Sequence, residues 1–123
     1  MDYETFEKTV SSRAGMPRAR ARELIRATLE TLAERLTRGE ADDLASQLPK
    51  PAKEWLNTGP PEAERFGLDE FIRRVSDRTR VPPEDARAAV RAVFTTLREA
   101  VTGGEFKDVM SQLPKEFSQL VES

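Results

Sequence analysis

The sequence predicts an all-α protein, a tandem duplication of a three- to four-helix unit with its two halves packed about a pseudo-twofold axis. Three observations carry this expectation. Slid by 65 positions without a gap, the 45 residues from Phe6 to Lys50 find 21 identical partners between Phe71 and Lys115, well beyond chance. Apolar residues recur at three- and four-residue spacing in both copies, which is the period of an amphipathic helix. No run alternates with period two for long enough to make a strand. The predicted organisation is residues 1–58 as the first repeat, 59–67 as a linker and 68–123 as the second repeat. Each half is small enough to be marginal alone, so the two are expected to share one core.

The elements follow in order. Tyr3, Phe6 and Val10 mark a first helix from about Asp2 to Ala14. Gly15 and Pro17 separate it from a longer one, about Arg18 to Leu36. That helix carries the stripe Ala21, Leu24, Ile25, Thr28, Leu29, Leu32 and Leu36. A short helix follows, and Pro51 to Leu56 adds another that holds Trp55. Asn57 to Pro61 reads as linker, because its Gly and Pro residues interrupt any helix. The second half restarts with Leu68, Phe71, Ile72 and Val75. After Pro82 and Pro83 it continues through Ala86, Ala89, Val90, Val93, Phe94, Leu97 and Val101. Phe117, Leu120 and Val121 close the pattern.

The most closely repeated stretch is TRGEADDLASQLPK at Thr37–Lys50 and TGGEFKDVMSQLPK at Thr102–Lys115. Thr37 with Glu40, and Thr102 with Glu105, have capping-box spacing. In that motif the Thr hydroxyl accepts from the third helical N–H, and the Glu reaches back to the Thr N–H. Alternatively, Gly39 and Gly104 close the preceding helix in the left-handed conformation. Both readings put a helix junction here. Asp42, Asp43 and Asp108 fall in the first turn, where the helix dipole favours carboxylates. Pro49 and Pro114 stop the helix, since the residue before proline leaves the α region. Gln47 and Gln112 stand beside Leu-Pro, where the amide can cap carbonyls freed by the proline.

Composition narrows the function classes. The net charge is −2, from 20 basic and 22 acidic residues, so no global field points to nucleic acid or membrane. The chain has neither Cys nor His. Thiolate chemistry and imidazole proton transfer are therefore excluded, and any proton shuttle would fall to Asp, Glu, Lys or Tyr. No apolar run approaches the ~20 residues needed to cross a bilayer. The expected location is the cytoplasm, with no membrane association, no cofactor and no metal. Glu40 with Asp43, and Glu105 with Asp108, place two carboxylates one turn apart, and such pairs can hold a hard cation. Capping and dipole complementation account for the same residues.

The element that reads GEADDLASQLP in one copy and GGEFKDVMSQLP in the other, with Phe6 and Phe71 opening each repeat, resembles the uncharacterised bacterial family known as domain of unknown function 2267. The resemblance covers nearly the whole chain. It implies a small helical bacterial domain and brings no reaction, cofactor or catalytic residue.

The leading expectation is a non-enzymatic interaction or adaptor domain that binds a protein partner or itself. Trp55, Phe106 and Phe117 are the candidate contact residues. Phe106 stands out because its counterpart is the small Ala41. The alternative is a nucleic-acid-associated protein in which Arg18, Arg20, Arg22, Arg80 and Arg87 form paired patches on phosphates. Acids thread those runs, which is the usual composition of a solvated, salt-bridged face.

Overall fold

In a computed structural model that describes residues 1–122, the chain is all-α. Its helices are α1 (Tyr3–Ala14), α2 (Arg18–Arg35), α3 (Arg38–Ser46), α4 (Ala52–Trp55), α5 (Leu68–Thr79), α6 (Pro83–Ala100), α7 (Gly103–Ser111) and α8 (Lys115–Glu122). A 3₁₀ turn at Leu56–Thr58 extends α4. No strand occurs among the described residues.

Local chemistry sets the helix ends. The Asp2 carboxylate accepts from the Thr5 N–H at 2.8 Å and starts α1. Gly15 ends it at φ 64°, its N–H directed at the carbonyls of Ser11 and Ser12. At the end of α5 the same left-handed geometry falls on Arg80, at φ 58°, where a Cβ is disfavoured. Ser11 and Ser76 each tie the chain down just past these ends, donating to the carbonyls of Met16 and Val81.

The two 18-residue helices α2 and α6 meet at the centre. Helix α1 lies against both α2 and α6, and α5 lies against both α6 and α2. The predicted stripe of α2 is buried in full, from Ala21 to Leu36, and so is that of α6. A single apolar cluster runs through both halves of the sequence. At its heart Phe71, Phe94 and Phe117 pack with ring centroids 5.4–6.0 Å apart, distances typical of favourable aromatic pairs.

Residues 59–67 contain no helix, yet they are fastened along the end of α2. The Glu64 N–H donates to the Glu34 carbonyl at 2.9 Å. Arg35 donates to the Phe66 carbonyl at 2.8 Å, and Arg38 to that of Gly59 at 3.2 Å. A Cβ on Gly59 would stand 2.4 Å from the Ala33 carbonyl oxygen, so backbone would have to move. Gly39 and Gly104 differ, because they sit inside α3 and α7 with open space where a Cβ would go. Gly59→Ala is therefore expected to destabilise the protein by about 1–3 kcal/mol, the usual cost of overpacking. Gly39→Ala and Gly104→Ala should each stabilise by about 0.5–1 kcal/mol through helix propensity. Denaturant unfolding of the three variants checks both signs at once.

Candidate functional site

The repeated stretches form α3 and α7, and these two helices touch. Thr37 and Thr102 are their N-caps. The Thr37 hydroxyl accepts from the Glu40 N–H at 3.3 Å, and that of Thr102 from the Glu105 N–H at 3.2 Å. The left-handed reading of Gly39 and Gly104 is corrected, since both lie in the first turn of a helix and the only positive-φ glycine among the described residues is Gly15.

The other half of the capping box is also corrected. Glu40 and Glu105 do not reach back to the Thr N–H groups, because a glutamine from the opposite stretch already occupies each one. The Thr37 N–H donates to Oε1 of Gln112 at 2.9 Å, and Nε2 of Gln112 donates to the Thr37 hydroxyl at 3.1 Å. Gln47 treats Thr102 in the same way, at 2.8 and 3.4 Å. The glutamines thus serve helix starts 55 and 75 residues away, not the proline-freed carbonyls beside them. A second set of ties has a similar form. Arg13 reaches Thr96 and Glu99, and Arg78 reaches Thr31 and Glu34.

Freed from capping, Glu40 and Glu105 turn toward each other at the third position of α3 and α7. Carboxylate oxygens of Glu40, Asp43 and Glu105 all lie within 4.8 Å of one another. Glu105 is only 8% exposed. One oxygen of Glu105 and one of Glu40 are shielded from solvent with no hydrogen-bond partner. Burial pushes the Glu105 carboxyl up to about 8, followed by its contact with Glu40 and the charges of Glu40, Asp43 and Asp108. Two ionised carboxylates offer each other only acceptors. A proton or a cation between them relieves both the repulsion and the unpaired acceptors.

The candidate contact residues are placed differently from one another. Phe117 is fully buried in the aromatic cluster, and this removes it from any surface. Trp55 is 9% exposed, edge-on to Tyr3 at 5.7 Å, with the Arg22 guanidinium 5.4 Å from its ring. Its ring is a packing element. Phe106 is partly buried, as is Met110 one turn later on the same helix. The equivalent residues of α3, Ala41 and Ala45, are small and buried, in a helix that packs on α4 and the 3₁₀ turn.

The five arginines do not share one environment. Arg18 and Arg22 both pair with Glu7, at 3.0 and 3.5 Å, and Glu7 also accepts from the Tyr3 hydroxyl. Arg20 lies 3.9 Å from Glu23. Together with Arg80 it borders a hollow of about 320 Å³ that also contains Asp85. Arg87 borders another, beside Asp69, Asp77 and Glu84. Arg18, Arg20 and Arg22 thus each have a carboxylate within 4 Å, while Arg80 and Arg87 share only the border of a hollow with acids. No helix among the described residues is long and apolar enough to cross a membrane.

Residues 3–120 match the family described as "Uncharacterized conserved protein (DUF2267)". A search of curated proteins finds no match. The sequence offered Glu40 with Asp43 and Glu105 with Asp108 as separate pairs, and the meeting of the two copies was not part of that reading. Glu40 and Glu105 hold the same position of the repeated stretch, and the contact between α3 and α7 brings them together.

Proposed function

The chain belongs to this DUF2267 family, and on that premise we propose a non-enzymatic interaction domain, built from two copies of one helical unit packed about a pseudo-twofold axis. Residues 1–58 and 68–123 are the copies in this reading, with 59–67 joining them. What supports the duplication is the matching of helices at the 65-residue offset: 12, 18 and 9 residues in α1, α2 and α3, and again 12, 18 and 9 in α5, α6 and α7. The ties between halves also come in offset pairs, Gln47–Thr102 with Gln112–Thr37 and Arg13–Thr96 with Arg78–Thr31.

The observation that carries the interaction reading is Phe106. A duplicated core needs no aromatic where the other copy holds Ala41, yet Phe106 and Met110 keep accessible surface on α7. Large apolar side chains of that kind, central to a patch, supply much of the binding energy in protein interfaces. The partner face is therefore α7, and the partner is a protein presenting an apolar surface. The lack of His and Cys weighs against catalysis, and the absence of Cys suits the cytoplasm. The paired state of Arg18 and Arg22 weighs against the nucleic-acid alternative, since phosphate would have to displace Glu7.

The test compares wild type with Phe106→Lys and Met110→Lys, both expected to fold because neither residue is fully buried. Affinity capture from the native host should retain a defined protein with wild type and lose it with either variant, and sedimentation should show whether that protein is a second copy. Retention of the same proteins by all three, or none by any while wild type stays monomeric, overturns the reading.

A further inference from the structure

We propose that the α3–α7 junction is a binding site for a hard divalent cation of about the size of Ca²⁺, held by Glu40, Asp43 and Glu105. This goes beyond the interaction reading and does not depend on it.

The argument begins with the donor set. Hard divalent cations take carboxylate and water oxygens at about 2.3–2.6 Å. Oxygens on opposite sides of such an ion stand about 4.6–5.2 Å apart by the same geometry, and one oxygen from each of the three carboxylates lies within 4.8 Å of the other two. They come from two helices rather than one surface run, so the cluster is made by tertiary packing. Asp108 adds a further negative charge beside Glu105.

Burial is an independent observation. Glu105 is more than nine-tenths buried, and one of its oxygens has neither solvent nor a donor. One oxygen of Glu40 is in the same condition. A buried acceptor without a partner is costly, and helix capping does not explain it, because Thr37 and Thr102 serve as caps and the glutamines take their N–H groups. One proton between the two glutamates would satisfy that pair and leave Asp43 and Asp108 charged. One divalent cation would bind an oxygen of each glutamate together with the exposed Asp43, which leaves room for water ligands on the solvent side.

The position gives the ion a mechanical consequence. Glu40 is the third residue of α3 and Glu105 the third of α7, next to the reciprocal Gln–Thr bonds. An ion there ties the two helices at the point where each is capped by the other half. Binding should stabilise the folded state, because the unfolded chain holds no such cluster.

The experiment uses the full chain, stripped with chelator and titrated with CaCl₂, MnCl₂ and MgCl₂ separately at constant ionic strength. Calorimetric titration should give saturable binding of one Ca²⁺ or Mn²⁺ per chain, with Mg²⁺ weaker because it sheds water reluctantly. The thermal midpoint should rise in parallel. Glu105→Gln and Asp43→Asn should each weaken binding at least about tenfold, while Asp77→Asn, an acid paired with Arg73 elsewhere, should leave it unchanged. Mn²⁺ should broaden amide resonances of α3 and α7 before those of the other helices. No saturable binding by any of the three ions overturns the proposal, as does equal binding by wild type and Glu105→Gln. The Asp43→Asn arm guards against a folding defect, since its side chain is exposed.

Discussion

Phe117→Ala is expected to lower the unfolding free energy by about 3–5 kcal/mol, the range for removing a fully buried aromatic ring. The ring is 0% exposed and packs against Phe71 and Phe94. It also holds α8 to the rest, because α8 packs on α6 and carries Leu120 and Val121 as its other buried apolar residues. The counterpart of Phe117 is Ala52, also buried. At the same place in the repeated sequence the first half holds a small side chain and the second an aromatic ring. Phe106→Ala should cost much less, because part of that ring already faces solvent. Denaturant midpoints with an unchanged slope would check both values. A cost near zero for Phe117→Ala would mean that the aromatic cluster is not the core of the second half.

With divalent cations removed by chelator, the folded state should lose stability as pH rises from about 4.5 to about 8, and Glu105→Gln should abolish that loss. The Glu105 carboxyl is held at about 8 in the folded protein against an ordinary 4.5. Below 4.5 it is protonated in both folded and unfolded chains and contributes nothing to the difference. Between the two values the unfolded chain has released the proton while the folded chain keeps it, so each further rise in pH favours unfolding. Above about 8 both states are ionised and the full cost stands, on the order of a few kcal/mol. The groups around it are Glu40 and Asp43 from α3 and Asp108 from its own helix. The proton belongs to the Glu40–Glu105 pair as a unit, so Glu40→Gln should flatten the same limb. The clean readout is the difference between wild type and Glu105→Gln across the pH range, since Glu70, held near 2 by Arg73 and Arg74, titrates the opposite way in acid. A wild-type curve parallel to that of Glu105→Gln would show that no raised carboxyl contributes.

Much of the fold was legible because it rests on local rules. The stripe from Ala21 to Leu36 predicted α2, and Thr37 and Thr102 were readable as caps, because a helix start depends on residues three apart. Less was legible at the site. The spacing of Glu40 from Thr37 suited a capping box, and the sequence offered no sign that Gln112, 75 residues on, would take the Thr37 N–H first. The small counterpart Ala41 set Phe106 apart from Trp55 and Phe117 in the sequence, but only packing decides which of the three are enclosed.

By itself, then, the chain determined its helices and their order, because backbone hydrogen bonding and apolar periodicity act over a few residues. Only the tertiary structure decided which half caps which helix, which aromatics have surface, and that Glu40, Asp43 and Glu105 meet. Those outcomes depend on groups brought together from distant parts of the chain, where burial and like charge raise the cost of an unpaired carboxylate in a way no local pattern encodes.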